Sequence, residues 1–434
     1  MKNFIKKIVV YILRAEAELI LLKYKPRIVG VTGNAGKTST KDAIYEVISL
    51  AHSVRRSQGT MNTEFGTPLT IIGCESGWNS FWRWLYNILY GLVIIIFPHH
   101  YPEWLVLELG ADRPGDIKYL SSWLPLNVAI ITALGEVPSH VEFFKDKEHL
   151  ATEKRHILDA LVPSGVAILD GDDKSVRNMR GKSEHNIITY GLSADNYVRG
   201  SNDRIIYERS KSDEIPLGIS FKVDINGTSI PARMHGVFGK HHIPAALAAV
   251  SVAHVLHINL VKALESLQDY SKAPGRLRLI EGEKECIILD DSYNASPLAT
   301  DKALDSLKTI KARGRKIAIL GDNMELGGYT ILEHEKIGKK AAKVCDVLVT
   351  VGQRAKYIAD GARENGMEPD DITSFDTAVE ARDYIEPLIK SGDMILVKGS
   401  QAVRMERIVL GIMAHPERAL NLLVRQDPEW LSRD

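Results

Sequence analysis

Short continuous apolar runs alternate along the chain with longer stretches in which apolar residues recur at helical spacing. The runs are typical of buried strands and the spaced stretches are typical of helices. Their alternation in the first part of the chain favours an α/β fold with a parallel sheet and helices on both faces. The predicted strands are 27–29, 104–110, 128–132 and 166–170, and the predicted helices are 40–48 and 146–161.

The pattern changes twice further along the chain. Residues 204–233 predict short alternating strands with a hairpin turn at Asn226-Gly227, and residues 241–270 predict helices. Residues 271–276 have the composition of a linker. A second α/β series then begins. Its predicted strands are 286–290, 316–320, 347–351 and 394–398, and its first predicted helices are 298–310 and 331–342.

Two apolar segments stand outside this alternation. The first starts at the basic N-terminus and predicts an amphipathic helix to about Leu22, since charged residues from Arg14 onward interrupt it. The second, residues 84–97, is too short for a confident membrane span, which takes about 20 residues. We expect the two helices to be buried or packed against each other; the alternative is an interfacial contact with the inner leaflet of a membrane.

Composition narrows the function classes. A chain of 434 residues is long enough for two or three domains. Its formal net charge of zero argues against a nucleic-acid-binding protein, which would carry a basic excess. Its three cysteines are scattered and form no Cys-x-x-Cys pair, so a disulfide framework and a zinc ribbon are both disfavoured and a reducing cytoplasm is expected.

The strongest chemical signal is a glycine-rich stretch between the first predicted strand and the first predicted helix. It fits the phosphate-binding pattern T-G-x-x-G-K-[ST], although Val31 replaces the first glycine of the more general form. Glycines let backbone amides converge on phosphate oxygens, and the helix N-terminus adds a partial positive charge. Lys37 would reach the β- and γ-phosphates and Thr38 would hold Mg²⁺. The predicted nucleotide-binding residues of this stretch are Thr32, Gly33, Asn34, Ala35, Gly36, Lys37, Thr38 and Ser39.

Glu108 and His140 each follow a predicted strand at the same sheet edge as the phosphate loop. A carboxylate and an imidazole there could hold Mg²⁺ beside a triphosphate. Alone, either residue would more often be a solvated residue or a helix cap. Their shared position beside Lys37 makes both candidate metal ligands.

These residues resemble the Mur ligase family, in unbroken order from about residue 27 to residue 415. The branch of closest resemblance adds D-alanyl-D-alanine to a UDP-muramoyl tripeptide. The matching motifs are Thr32-Gly33-x-x-Gly36-Lys37-Thr38, Gly66-Thr67-Pro68-Leu69-Thr70, Glu108-Leu109-Gly110, Ser139-His140-Val141-Glu142, Glu153-Lys154, Gly275-Arg276, Asp290-Asp291-Ser292-Tyr293-Asn294-Ala295, Leu320-Gly321-Asp322 with Glu325-Leu326-Gly327, and Lys398-Gly399-Ser400.

The resemblance implies a two-step reaction. A carboxylate attacks the γ-phosphate of ATP to give an acyl phosphate and ADP, and an amine then displaces phosphate to form an amide. It also implies two Mg²⁺ ions, the first held by Thr38 and Glu108 and the second by His140. Lys154 would carry a carbamate that supports the second ion, whereas composition alone would make it a solvated helix lysine.

The same resemblance assigns residues of the C-terminal half. Arg276 would reach a phosphate of the nucleotide and Asp291 its ribose, while Asn294 and Lys398 would line the acyl or amine site. The predicted catalytic residues are Lys37, His140, Lys154, Asn294 and Lys398.

Two departures from the family pattern affect the substrates. The adenine-side helix usually reads Gly-x-His-Asn-x-x-Asn-Ala. Residues 239–246 lack both asparagines and place His242 there, so altered adenine contacts are expected. In the family an N-terminal domain grips the UDP part of the acyl substrate. Only about 26 residues precede the catalytic domain here, so we expect UDP to add little to binding.

The expected architecture has three parts. Residues 1–26 form a short apolar helix, residues 27–273 a central doubly wound domain with the phosphate loop, and residues 274–434 a Rossmann-like α/β domain. The expected enzyme is a monomeric, cytoplasmic, ATP-dependent ligase acting on a muramoyl peptide and an amine or dipeptide. Two alternatives stay open: a similar ligase for another acid, such as a folate or a polyamino acid, and a membrane-associated nucleotide-binding protein without ligase activity.

Overall fold

The computed structural model describes most of the chain. The described ranges are 2–58, 61–77, 80–111, 113–135, 143–180, 185–210, 213–268 and 274–432. The motif containing His140 and residues 271–273 of the predicted linker lie outside these ranges.

The first part of the chain contains nine strands and nine helices within the described ranges. The helices are α1 (Lys2–Tyr24), α2 (Lys37–Ser49), α3 (Gly66–Ile72), α4 (Phe81–Ile96), α5 (Asp116–Ser121), α6 (Lys147–Arg155), α7 (Lys174–Arg177), α8 (Ile243–Val255) and α9 (Leu260–Ser266). The strands are β1 (Arg27–Thr32), β2 (Val54–Arg56), β3 (Trp104–Glu108), β4 (Leu126–Ile131), β5 (Leu161–Asp170), β6 (Asn186–Gly191), β7 (Val198–Ser210), β8 (Asp213–Ile225) and β9 (Thr228–His235).

These nine strands form one sheet in the order β2-β3-β1-β4-β5-β6-β7-β8-β9. The pairs from β2 to β7 are parallel, and β7-β8 and β8-β9 are antiparallel. Successive residues of β1 face opposite cores: Val29 packs with α2 and α8, whereas Ile28 packs with α1, α3 and α5. Helices therefore cover both faces, which confirms the predicted doubly wound domain.

The second sheet has six strands and belongs to the C-terminal part of the chain. Its order is β10-β11-β15-β12-β13-β14, with β10 antiparallel and the others parallel. The strands are β10 (Arg278–Glu281), β11 (Ile287–Asp291), β12 (Lys316–Gly321), β13 (Val347–Val351), β14 (Ile372–Phe375) and β15 (Met394–Lys398). The helices are α10 (Pro297–Thr309), α11 (Thr330–Ala341), α12 (Lys356–Glu364), α13 (Ala378–Leu388), α14 (Glu406–Ile412), α15 (Ala419–Leu422) and α16 (Pro428–Leu431).

The two apolar segments form a helix pair on the central domain. Helix α1 packs against both α3 and α4. The Lys23 ammonium donates to the carbonyls of Ile94, Ile95 and Phe97 at distances of 2.7–2.9 Å, which caps the C-terminal end of α4. The expectation that the two helices pack together is confirmed. In the described part of the chain, none of the helices combines the length and apolarity that crossing a bilayer requires.

Two sequence predictions differ from the structure. The helix predicted at 146–161 ends at Arg155 and continues as a 3₁₀ turn, His156–Ala160, into β5. No glycine or proline interrupts residues 155–161, so the apolar spacing carries no stop signal. The antiparallel strands predicted as short are 13 residues long in β7 and in β8, and Asn226-Gly227 turns the chain between β8 and β9 as predicted.

Candidate functional site

The phosphate loop joins β1 to α2 at the carboxyl edge of the parallel sheet. Gly33 and Gly36 both have positive φ, of 141° and 83°. A β-carbon at Gly33 would lie 2.0 Å from Thr132 Oγ1, so a side chain there would collide with β4. A β-carbon at Gly36 would meet nothing within 4 Å, so the loop is open at the N-terminus of α2. This open space is where a helix N-terminus binds an anion.

Hydrogen bonds within the protein already use polar groups of several predicted nucleotide-binding residues. The amides of Asn34 and Ala35 both donate to Ala133 O at 3.0 Å, and Thr32 Oγ1 donates to Leu109 O at 2.8 Å. All three residues were predicted to bind the nucleotide, but these two amides and this hydroxyl hold the loop in its shape. Lys37 Nζ donates to Asn34 O at 3.3 Å, which holds the ammonium over the loop.

Glu108 ends β3 beside the first turn of α2. Its Oε2 accepts from Thr38 Oγ1 at 3.0 Å and its Oε1 accepts from Asn62 Nδ2 at 3.2 Å. Its backbone N–H donates to Ser57 Oγ at 3.1 Å. The carboxylate is almost fully buried, with 3% of the residue exposed, so these contacts fix its position.

Asn62 and Ser57 are site residues that the sequence analysis missed. Both lie in loops without apolar periodicity, and only the fold brings them to Glu108. One signal was available: Asn62 lies four residues before the Gly66-Thr67-Pro68 motif that contributed to the family resemblance.

Lys154 lies on α6 and is buried, with 2% of the residue exposed. This burial is incompatible with a solvated helix lysine. The neighbouring Glu153 accepts from the amides of Gly115, Ile117 and Lys118 at 2.7–3.2 Å, so it ties α6 to the N-terminal end of α5. The helix that carries Lys154 is thus anchored on the central domain.

Arg276 reaches the phosphate loop from the C-terminal part of the chain. Its Nη2 donates to Thr38 Oγ1 at 3.3 Å, and its guanidinium lies 3.9 Å from the centre of the Tyr293 ring. Tyr293 is held by Arg425, which donates to its carbonyl oxygen. The guanidinium is therefore placed where a nucleotide phosphate would lie against the loop.

The carboxyl ends of β11 and β15 bring three further predicted residues together. Lys398 Nζ donates to Asp291 Oδ2 at 2.6 Å and to Asn294 O at 3.0 Å. Asn294 Oδ1 in turn accepts from the amide of Gln401 at 3.4 Å. Lys398 is 2% exposed, and Asp291 neutralises its charge where little water can reach the pair.

His242 lies in a 3₁₀ turn, Lys240–His242, before α8. It is buried, and its ring centre lies 4.0 Å from that of His241. Nearby, Ser306 Oγ of α10 donates to Phe238 O at 2.9 Å, which joins this segment to the C-terminal sheet. The segment before α8 therefore contacts α10, and the contact of His242 with adenine stays a prediction.

The described side chains fit a magnesium nucleotide. Mg²⁺ prefers oxygen ligands and usually takes only one or two from the protein besides phosphate oxygens. Thr38 and Glu108 supply a hydroxyl and a carboxylate side by side at an open loop. Among the described residues there is no group of three or more His, Cys, Asp or Glu that could hold an ion alone. His140 falls in the range 136–142, outside the description.

Two family models match the chain. The Mur ligase middle domain matches residues 91–253, and the Mur ligase glutamate ligase domain matches residues 275–401. Together they cover about two thirds of the chain.

Individual relatives give the same result. The chain is 28% identical over 404 residues to UDP-N-acetylmuramoyl-tripeptide–D-alanyl-D-alanine ligase of Bacillus subtilis, covering 92% of this chain and 79% of the relative. Among solved structures, MurF from Acinetobacter baumannii superposes with a TM-score of 0.76 at 23% identity, covering 92% of this chain and 79% of that one. MurF from Thermotoga maritima in complex with ADP superposes with a TM-score of 0.75 at 24% identity, with coverages of 95% and 84%.

The two solved structures share the fold of this chain. The middle-domain model matches the central sheet from β3 onward, after the phosphate loop, and the second model includes Arg276 and β10 to β15. The ordered motifs, both domain models and the fold agree, so the chain belongs to the Mur ligase family.

Proposed function

We propose that the chain is an ATP-dependent, ADP-forming ligase that adds D-alanyl-D-alanine to a muramoyl tripeptide in peptidoglycan precursor synthesis. The observation that carries the proposal is the meeting of Thr38, Glu108 and Arg276 at an open phosphate loop. In this proposal Thr38 and Glu108 are the metal-binding pair, and Arg276 adds a cation from the C-terminal part of the chain. The name of the Bacillus subtilis relative supports the choice of substrates.

The protein's main task in such a reaction is to position the reactants and neutralise charge. ATP supplies the phosphoryl group that turns the carboxylate oxygen into a leaving group. Lys37 and the first turn of α2 hold its β- and γ-phosphates, and Arg276 adds charge from the other side. Thr38 and Glu108 hold one Mg²⁺, and Asn62 keeps the Glu108 carboxylate in its orientation.

Two finer features belong to the same proposal. His140 holds a second Mg²⁺, and Lys154 carries a carbamate whose negative charge supports that ion. The burial of Lys154 supports this role, because a carbamate anion is easier to bury beside a Mg²⁺ ion than a bare ammonium would be.

The second half of the reaction needs an amine next to the activated carboxyl group. Lys398 and Asn294 line the site where these groups meet, and Asp291 contacts the nucleotide ribose while it neutralises Lys398. With the proposed domain boundaries, 27–273 and 274–434, the phosphate loop belongs to one domain and this cluster to the other. Closure of the second domain onto the first would then bring the two substrates together.

The remaining parts of the proposal concern the setting of the enzyme. Its partners are small molecules, a monomer is sufficient since both halves of the site lie on one chain, and it works in the cytoplasm. A peripheral contact with the inner face of the membrane is the finer expectation for its location.

The test is a coupled assay of ADP release with purified protein. UDP-muramoyl tripeptide and D-alanyl-D-alanine together should release ADP and form the amide, and omission of either should abolish both signals. Folate with glutamate, and a muramoyl tripeptide with glycylglycine, serve as competing pairs. ADP release on a competing pair alone would overturn the substrates and keep the ligase, whereas no amine-dependent ADP release on any pair would overturn the ligase itself.

A further inference from the structure

Exposed apolar side chains are concentrated on one helix pair. Among the described residues, 23 large apolar side chains are exposed, and 12 of them lie on α1, on α4 or on Phe97, which follows α4. These elements make up less than a tenth of the chain. Scattered exposed apolar residues are ordinary, but a concentration of this kind marks a surface that binds a membrane or another molecule.

Helix α4 carries its apolar stripe on the side that faces water. Trp82, Tyr86, Leu89, Val93 and Ile96 follow one another at intervals of three and four residues, which places them on one face. Trp82 is 75% exposed and Ile96 is 67% exposed. The residues of α4 that are buried lie on a different line. The helix therefore turns a narrow face to the protein and a wide apolar face outward.

Helix α1 extends the same surface. Glu16 touches α4 at Gly91, and Lys23 bonds the end of α4, so the two helices run side by side in the same direction. Tyr11 and Leu22 on the outer side of α1 are 74% and 69% exposed. We call the exposed faces of α1 and α4 the apolar platform.

Cations border the apolar platform at both of its ends. Lys6 lies in the second turn of α1 and pairs with Glu64 at 3.5 Å, Arg83 lies in the first turn of α4, and Lys23 and Lys25 lie at the other end. Helix α4 contains no Asp or Glu. On α1, Glu16 is buried and Glu18 accepts a 2.7 Å hydrogen bond from Arg14, and Glu64 balances the charge of Lys6. Arg83, Lys23 and Lys25 therefore leave the border of the platform positively charged.

This charge pattern favours an anionic membrane surface over a second copy of the chain as the binding partner of the apolar platform. A second copy would present the same cations at both ends of its platform, so a symmetric dimer would bring like charges together in either orientation. Anionic headgroups instead attract a basic border, and Trp and Tyr side chains suit the boundary between headgroups and acyl chains. The apolar platform has the composition of helices that lie in the plane of a bilayer surface.

We propose that the apolar platform docks the protein on a membrane surface that contains anionic phospholipids, with α1 and α4 parallel to the plane of the bilayer. The side chains of the outer stripes enter the headgroup boundary and Arg83 and Lys25 contact phosphate groups, while Lys23 adds positive charge and its ammonium caps α4. The inference does not depend on the ligase activity, because none of the residues of the platform belongs to the site around Thr38 and Glu108.

The test is co-sedimentation of the full chain with vesicles. Vesicles of phosphatidylcholine with phosphatidylglycerol should bind the protein, vesicles of phosphatidylcholine alone should bind it about tenfold less, and high salt should weaken the binding. Trp82→Gln with Ile96→Gln should lower the partition onto anionic vesicles at least about tenfold, since both changes remove exposed apolar area. ADP release without vesicles should be unchanged in this variant.

The matched control is Ile331→Gln with Leu332→Gln, which removes two half-exposed apolar side chains from α11. This control should bind vesicles like the unmodified protein. Equal binding of all three proteins to anionic vesicles, or binding of none, would overturn the proposal. So would a dimer in sedimentation velocity that the Trp82→Gln, Ile96→Gln variant abolishes in the absence of vesicle binding.

Discussion

Arg276 Nη2 donates a 3.3 Å hydrogen bond to Thr38 Oγ1, which joins the start of the C-terminal domain to the phosphate loop of the central domain. The same Thr38 hydroxyl donates a 3.0 Å hydrogen bond to Glu108 Oε2. The cation, the hydroxyl and the carboxylate thus form one chain of polar contacts. A nucleotide bound at the loop would touch both domains through this chain.

Replacing Arg276 tests whether this contact serves the nucleotide. Arg276→Ala should raise the KM for ATP about 10- to 100-fold, because a charge-assisted hydrogen bond to a phosphate contributes about 1.5–3 kcal/mol. Arg276→Lys should recover part of the loss, since it keeps the charge and loses the planar fork. The measurement is ATP-dependent ADP release under saturating acyl substrate and amine. An unchanged KM for ATP in a folded Arg276→Ala variant would contradict the assignment.

Much of the fold follows from apolar patterning alone. Strands β13 and β15 have the boundaries that the sequence predicts, 347–351 and 394–398, because both are continuous apolar runs buried on both faces of a parallel sheet. The predicted end of the helix at residue 161 was wrong: α6 ends at Arg155, and the 3₁₀ turn that follows keeps the apolar spacing of the helix.

The residues of the candidate site also differ in how far the sequence alone predicts them. Thr38, Glu108 and Arg276 lie in motifs with characteristic neighbours in the sequence, and the structure brings these three together. The sequence analysis missed Asn62, which has only its place near the Gly66-Thr67-Pro68 motif as a signal, because its role depends on a loop that folds back against the end of β3. Lys398 and Asp291 were predicted separately, and only the parallel pairing of β11 with β15 makes them an ion pair.

Lys37 provides the most direct test of the phosphate loop. Lys37→Ala should lower kcat more than about 100-fold, because the ammonium stabilises charge on the transferring phosphoryl group. The fold should survive, since the 3.3 Å bond from Lys37 to Asn34 O is one of several hydrogen bonds that hold the loop, the others including two backbone bonds to Ala133 O. Circular dichroism and ADP release are the measurements. Lys262→Ala, an exposed change on α9, should leave both unaltered, and a fully active Lys37→Ala protein would refute the role.

Asn62 is expected to act through Glu108. Asn62→Ala removes the amide that holds Glu108 Oε1, so we expect a loss of about 10- to 100-fold in activity or metal affinity. The Mg²⁺ concentration for half-maximal activity should rise, a change that a general loss of stability would not produce. Asn178→Ala, on an exposed turn, is the control. An unchanged Mg²⁺ requirement would show that Asn62 does not orient the metal-binding carboxylate.

Lys154 tests the proposed carbamate. Lys154→Ala should lose at least about 100-fold in kcat, and a small carboxylate such as acetate or formate should restore part of it by replacing the missing negative charge. Intact-mass spectrometry under bicarbonate should detect the added carboxyl group on the unmodified protein. Lys145→Ala, an exposed lysine before α6, should need no rescue. Loss of activity without any rescue, together with an unmodified lysine, would leave Lys154 a structural residue.

Glu16 predicts how stability depends on pH at the α1–α4 contact. Both carboxyl oxygens lack a hydrogen-bond partner, and burial raises the pKa of Glu16 from 4.5 to about 7. A carboxyl whose pKa is higher in the folded state favours folding below pH 4.5, and this contribution is lost as the pH rises through about 7. Its titratable neighbour Cys74 stays neutral across this range, since burial raises the pKa of that thiol to about 11.

Glu16→Gln should therefore stabilise the protein above pH 7 and leave it nearly unchanged below pH 4.5. We expect a gain of about 1–2 kcal/mol, less than the full pKa difference implies because the ionised carboxylate can draw water into the helix contact. Thermal unfolding across this pH range is the measurement. Glu18→Gln, on the same helix but bonded to Arg14 and partly exposed, should give no such gain. If Glu16→Gln unfolds at the same temperature as the unmodified protein above pH 7, the buried carboxylate is not ionised at a cost, and α1 and α4 pack around it without strain.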